Sequence, residues 1–198
     1  MKKVVFIVSH LGSGSDELVR VLNENPRVII HQSEQVYSHP DDLDWLFSQG
    51  HKLDNAAAIY GHHLLQNMFL TSESFYNICK FIYVIRPAKP SLNIILNKYT
   101  PLTASRYYCF RLRRICEMAK RTPGAVFLTW QNLADNKFQP IIENYLNLKD
   151  PLSQGNFTEN SKDEVHLGII EQAQTSYERY YYYLIQQNLQ SVNKSFSD

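Results

Sequence analysis

The sequence predicts an α/β fold, a single domain with a mostly parallel central sheet flanked by helices. Three observations carry this reading. Short apolar, β-branched runs alternate with segments of helical spacing, the order from which parallel sheets are built. The two strongest runs, VVFIV at residues 4–8 and FIYVI at residues 81–85, hold no charged residue, as strands covered on both faces require. The 198 residues suit one domain with a full core, and no repeat or linker interrupts them. The domain is expected over residues 1–190, with residues 191–198 as a frayed tail.

Each element follows from local chemistry. Residues 4–8 form the first strand and lead into the turn SHLGSGSDE, after which Leu18, Val19 and Leu22 share one side of a helix that stops near Asn25 and Pro26. Residues 28–30 give a second short strand. Pro40 and the acidic pair Asp41 and Asp42 suit a helical first turn, with Gly50 closing that helix. Residues 56–60 are a weak third strand, followed by Gly61, His62 and His63 and a helix-like stretch. The run at 81–85 is the clearest strand, and Arg86 stands at its end. After Pro87 and Pro90, residues 91–98 read as a helix. Residues 104–121 form a long helix, with Tyr108, Leu112, Ile115 and Ala119 spaced for one buried stripe. A last strand at 125–129 and a helix around 138–145 follow. The polar stretch 149–162 is a loop, and Ser161 with Glu164 makes a capping box for a final helix reaching about residue 189.

Composition narrows the function classes. Twenty basic residues nearly cancel 19 acidic ones, for a net charge of +1, which argues against a generally cationic nucleic-acid or membrane-surface protein. The three cysteines Cys79, Cys109 and Cys116 lack disulfide-framework or zinc spacing and read as small buried hydrophobes. Lys2 and Lys3 before five apolar residues imitate a signal peptide, but the run ends in a polar turn instead of a cleavage site. No stretch approaches the roughly 20 apolar residues of a membrane span. The expected location is the cytoplasm, with no membrane partner. The histidines have no metal-ligand spacing, so no metal is expected.

Two places carry chemistry. In the turn of residues 9–15, Gly12 and Gly14 let backbone N–H groups converge on an anion at a helix N-terminus, and Ser13 and Ser15 add hydroxyls. The pattern is neither a Walker A loop nor G-x-G-x-x-G, and a tight strand-to-helix turn without a ligand fits the same residues. The second place is Arg86, a lone cation after an apolar strand, where a guanidinium clamps phosphate bidentately; Ser91, near the next helix start, adds a hydroxyl. An arginine paired with a carboxylate at the domain edge is the alternative.

Together these segments resemble the sulfotransferases that use 3′-phosphoadenosine 5′-phosphosulfate (PAPS). FIVSHLGSGSD, residues 6–16, is similar to the family's first-strand turn, which holds the 5′-phosphosulfate. FIYVIRPAKPSLNIIL, residues 81–96, is similar to its strand, arginine and helix motif for the 3′-phosphate. GHHLL, residues 61–65, lies on the segment with the family's general base, and FLTWQNL, residues 127–133, on its late strand. The resemblance spans residues 4 to about 148 and implies a P-loop nucleotide-hydrolase-like fold. It implies PAPS as co-substrate and 3′-phosphoadenosine 5′-phosphate (PAP) as product. Gly12, Ser13, Gly14, Ser15, Arg86 and Ser91 would bind the nucleotide. Gly12 stands where the family has a basic residue, and Ile94 where it has a serine.

The implied activity moves a sulfuryl group to a hydroxyl or amine of a small-molecule or glycan acceptor. His63 is the expected base, since imidazole accepts protons near neutral pH; Glu34 is the reserve, because some branches of the family use a glutamate there. A protonated His10 is the candidate replacement for the loop cation, and Lys162 is placed to reach the nucleotide. A non-catalytic nucleotide or phosphate binder on the same fold is the alternative. The third reading is a nucleic-acid module on residues 104–121, which hold six basic residues and one acidic residue.

Overall fold

The structure, a computed structural model, describes residues 4–31, 57–60, 79–157 and 167–194. Its strands are β1 (Val4–Ser9), β2 (Val28–His31), β3 (Ala57–Tyr60), β4 (Cys79–Ile85) and β5 (Val126–Thr129). They form one sheet in the order β2-β3-β1-β4-β5, every pairing parallel. The described helices are α1 (Ser15–Asn23), α2 (Ala88–Ile95), α3 (Pro101–Ala119), α4 (Trp130–Ala134), α5 (Phe138–Leu146) and α6 (Leu167–Lys194).

Side-chain parity divides the core into two layers. Phe6, Val8, Phe81, Tyr83, Ile85 and Phe127 point to the face covered by α2, α3 and α6. Val5, Ile7, Ile82, Val84 and Leu128 point to the face covered by α1, α4 and α5. Successive strand residues face opposite sides, so both faces are apolar and the strands read as unbroken hydrophobic runs. On the first face Phe6, Phe81, Tyr83 and Phe127 stack in sequence across the strands, with centroids 5.5, 6.2 and 5.0 Å apart. The buried Tyr83 hydroxyl is paired with the Thr122 hydroxyl at 2.8 Å.

The helix boundaries show where tertiary context overrides sequence signals. α2 starts at Ala88, earlier than its expected start, and takes Pro90 into its first turn, where a missing N–H breaks no helical bond. α3 starts at Pro101 after the N-cap Thr100, the position that proline's fixed φ favours. α4 was not expected; Thr129 and Asn132 form a reciprocal capping box at its start. α6 continues to Lys194, into the stretch expected to fray. Ala173, Tyr177 and Leu184 form its buried side, while Tyr182 is exposed. The capping box at Ser161, and the expected helix closed by Gly50, lie outside the described residues. Among the described residues no helix is long and apolar enough to cross a membrane.

The chain leaves β1 for α1 in one layer and leaves β4 for α2 in the other. Because β1 and β4 are neighbours, the sheet has a switch point between them, the usual ligand crevice of an open parallel sheet. Both sequence-marked segments meet there.

Candidate functional site

The turn after β1 is held open by its glycines and braced by its serines. Gly12 and Gly14 have φ of 77° and 92°, values that glycine adopts without Cβ strain. Gly14 is also the N-cap of α1, with no side-chain cap. Ser13 and Ser15 are buried. The Ser13 N–H donates to the His10 carbonyl at 3.1 Å, the Ser15 N–H to Ser13 Oγ at 3.3 Å, and Ser9 Oγ to Ser15 Oγ at 2.9 Å. A cavity of about 210 Å³ opens on Gly12 and Gly14, with Arg86, Ile94, Trp130 and Phe157 among its other walls. The glycines face the cavity and the serines hold their backbone.

Arg86 reaches this cavity from the end of β4. It is 2% exposed; its Nη1 donates to the Gly12 carbonyl at 3.2 Å, and its guanidinium lies 3.6 Å from the centre of the Trp130 ring. The arginine thus ties the two loops together, and the indole fixes its plane by cation–π contact. Trp130 sits so close to the turn that a Cβ on Gly14 would come within 2.6 Å of its Cζ3. Phe157 meets Trp130 edge-on at 6.0 Å. Its neighbour Asn156 donates its N–H to Glu17 in the first turn of α1. The FLTWQNL segment marked this region, but composition gave no sign that its tryptophan would cover the turn.

Two of the residues marked in the sequence have surroundings that residue type did not show. His10 does not carry the missing positive charge: it is 2% exposed, and burial pushes its pKa down to about 4, with the charges of Arg111 and Arg86 lowering it further. The neutral ring donates through Nδ1 to the Leu11 carbonyl at 2.9 Å and accepts the Arg86 N–H on Nε2 at 3.0 Å. Ser91 is fully buried, with its hydroxyl donated to the Pro87 carbonyl at 2.8 Å; Ile94 forms the cavity wall in its place. A Cβ on Gly12 would stand 3.2 Å from both Ile94 Cβ and the Ser91 carbonyl, so α2 fills the space of a loop side chain. His63, Glu34 and Lys162 lie outside the described residues.

The long helix α3 buttresses the site. The Leu11 N–H donates to the Tyr107 hydroxyl at 3.1 Å, the Tyr108 hydroxyl donates to the Arg86 carbonyl at 2.6 Å, and Arg111 Nε donates to the Ser9 carbonyl at 2.9 Å. Four of the basic residues between 104 and 121 have different surroundings. Arg113 and Arg114 share Glu117 at 3.0 and 3.1 Å, Arg111 is buried, and Lys120 lies over the Tyr183 ring at 5.4 Å. Among the described residues no group of three or more His, Cys, Asp or Glu side chains is arranged to hold a metal ion.

No known family profile matches the chain, and no curated protein matches it in sequence. Solved structures do resemble it. A mouse sulfotransferase complexed with PAP matches 89% of this chain and 64% of its own, at 15% identity and a TM-score of 0.49. A sulfotransferase from Alicyclobacillus acidocaldarius superposes over 93% of this chain and 94% of its own, at 13% identity and a TM-score of 0.53. This last likeness, over nearly the full length of both chains, shows that the chain has a sulfotransferase-like fold.

Proposed function

We propose that the protein is a sulfotransferase that binds PAPS and moves its sulfuryl group to a hydroxyl or amine of a small-molecule or glycan acceptor. The observation that carries this reading is the joining of the two anion-suited segments, Arg86 Nη1 to the Gly12 carbonyl at 3.2 Å, at the crevice between β1 and β4. The donors fit a phosphorylated nucleotide: a glycine turn at a helix N-terminus, a buried guanidinium, and the aromatic walls Trp130 and Phe157 for a base. In this assignment Gly12 to Ser15 hold the 5′ end and Arg86 the 3′-phosphate. Ser91 acts through the Pro87 and Arg86 carbonyls that receive its hydroxyl.

PAPS would supply a sulfuryl group on a phosphate leaving group. The chain's own part is to hold the donor and to take the acceptor's proton, for which His63 is the proposed base and Glu34 the reserve. Calorimetry with PAP tests the reading. PAP is expected to bind in preference to ATP, and Arg86→Ala is expected to lower its affinity about 30-fold or more, the scale of a buried charged hydrogen bond. Absence of PAP binding at millimolar concentration refutes it.

A non-catalytic nucleotide binder is the second reading, favoured by Gly12 at the position of the family's loop cation and by Asp16 at the cavity wall. PAP binding without transfer to phenol, alcohol, amine or glycan acceptors would decide for it. The nucleic-acid reading loses support, because Arg111 is buried and Arg113 and Arg114 share Glu117.

A further inference from the structure

We infer that Glu17 is a positioning residue for the base of the bound nucleotide: its carboxylate latches the strap of residues 150–157 to α1 and so holds Phe157 as a wall of the cavity. The inference rests on the nucleotide reading above and names within it the group that sets how the base is gripped.

Residues 151–157 form no helix or strand, so their backbone groups need partners from elsewhere. Side chains of neighbouring segments supply them. Asn25 Nδ2 donates to the Asp150 carbonyl at 3.0 Å, Gln139 Nε2 donates to the Leu152 carbonyl at 2.9 Å, and the Gly155 N–H donates to Asn136 Oδ1 at 2.9 Å. Leu152 is buried in the core. These contacts fix the strap as far as Gly155. Beyond it the Asn156 N–H donates to Glu17 Oε1, and Phe157 then meets Trp130 and Phe138 edge-on at 6.0 and 5.5 Å. Glu17 thus holds the residue next to the aromatic wall.

The carboxylate is set for this task. Arg20, one turn along α1, donates Nε to Oε2 and Nη2 to Oε1, both at 2.8 Å, and such two-pronged pairing fixes the plane of a carboxylate. Arg20, with help from the Asn156 N–H, holds the Glu17 carboxyl below the usual carboxylate range, so it accepts as an anion. Glu17 lines the cavity together with Arg86, Asn156 and Phe157. A negative charge there opposes a phosphate ligand, so charge alone gives it no use in the site. Its bond to the strap does.

The test uses the full chain and two probes with the same two phosphates: PAP, and ribose 3,5-bisphosphate, which lacks the base. Their affinity ratio reads the grip on the base, and the shared phosphates cancel the effect of the carboxylate's charge. Glu17→Ala is expected to lower the ratio about fivefold, the scale of one aromatic contact. Glu17→Gln keeps an acceptor oxygen and should hold the ratio within about twofold of wild type. Phe157→Ala should lower the ratio at least as far, and adding Glu17→Ala to it should lower it no further, because both act on one wall. An unchanged ratio in Glu17→Ala, or effects that multiply in the double variant, overturns the inference. Hydrogen exchange of the ligand-free chain is the second measurement. The amides of residues 155–157 should exchange about tenfold faster in Glu17→Ala, and unchanged exchange overturns the latch. A wild-type chain that binds neither probe refutes the nucleotide reading, and the exchange measurement then still decides the latch.

Discussion

The backbone N–H of Arg86 donates to Nε2 of His10 at 3.0 Å, so the end of β4 is hydrogen-bonded to the turn that follows β1. The opposite ring nitrogen is committed to the Leu11 carbonyl at 2.9 Å. This fixes one neutral tautomer, with the proton on Nδ1 and the lone pair on Nε2. A charged imidazole has no lone pair to accept the Arg86 N–H, and it would stand beside two guanidinium groups.

The first prediction concerns acid stability. His10 titrates near 6.5 when unfolded and is pushed down to about 4 by burial in the folded chain. Between these values the unfolded state binds the extra proton, so His10's contribution to stability is complete above about pH 6.5. It is lost progressively as pH falls toward 4, up to about 3 kcal/mol. His10→Gln cannot titrate there. Urea unfolding at pH 7.5 and 4.5 should show a smaller loss for the variant than for the wild type; equal losses would contradict the tautomer assignment.

Gly12→Lys should fail to act as a gain of function, although it restores the residue type found at that place in PAPS sulfotransferases. The backbone has φ of 77°, and the new Cβ would be 3.2 Å from Ile94 Cβ and the Ser91 carbonyl. The expected result is a loss of about 1–3 kcal/mol in stability with PAP affinity no better than wild type. A stable variant that binds PAP more tightly would show that the turn accommodates its own cation.

At Gly14 two penalties coincide, a φ of 92° and a Cβ placed 2.6 Å from Trp130 Cζ3. They separate in a double-mutant cycle. Gly14→Ala should cost about 2–4 kcal/mol, and Trp130→Leu in the same chain should return the steric part while leaving the backbone part of about 1–2 kcal/mol. Additive effects in thermal or urea unfolding would mean that the indole does not rest on the turn. Trp130→Leu alone should weaken PAP, because it removes both an aromatic wall and the plate under Arg86.

Much of this was legible in the residues. Alternating charge-free runs identified the parallel sheet, and the paired glycines and Arg86 marked the two loops that meet at the crevice. What was hidden depended on long-range packing. His10 looked like a replacement cation because sequence shows residue type and not burial. The bonds of the Ser91 hydroxyl to the Pro87 and Arg86 carbonyls are set by where α2 begins, three residues earlier than expected. Arg111 was one of six cations in a helix. Its burial and its bond to the Ser9 carbonyl come from packing that residue type does not reveal.

The last prediction tests α3 as a buttress separately from its charge. The Tyr108 hydroxyl donates to the Arg86 carbonyl at 2.6 Å, while its ring edge meets His10 with centroids 5.0 Å apart. Tyr108→Phe keeps the ring and deletes the donor. The Arg86 carbonyl keeps the longer contact from Ser91 Oγ, at 3.4 Å, and a loss of about 1–2 kcal/mol in stability is expected. Because the same carbonyl orients the residue whose side chain faces the cavity, PAP and adenosine 3′-monophosphate should weaken by the same factor. Selective weakening of PAP in Tyr108→Phe would mean that the hydroxyl acts on the turn, not on Arg86.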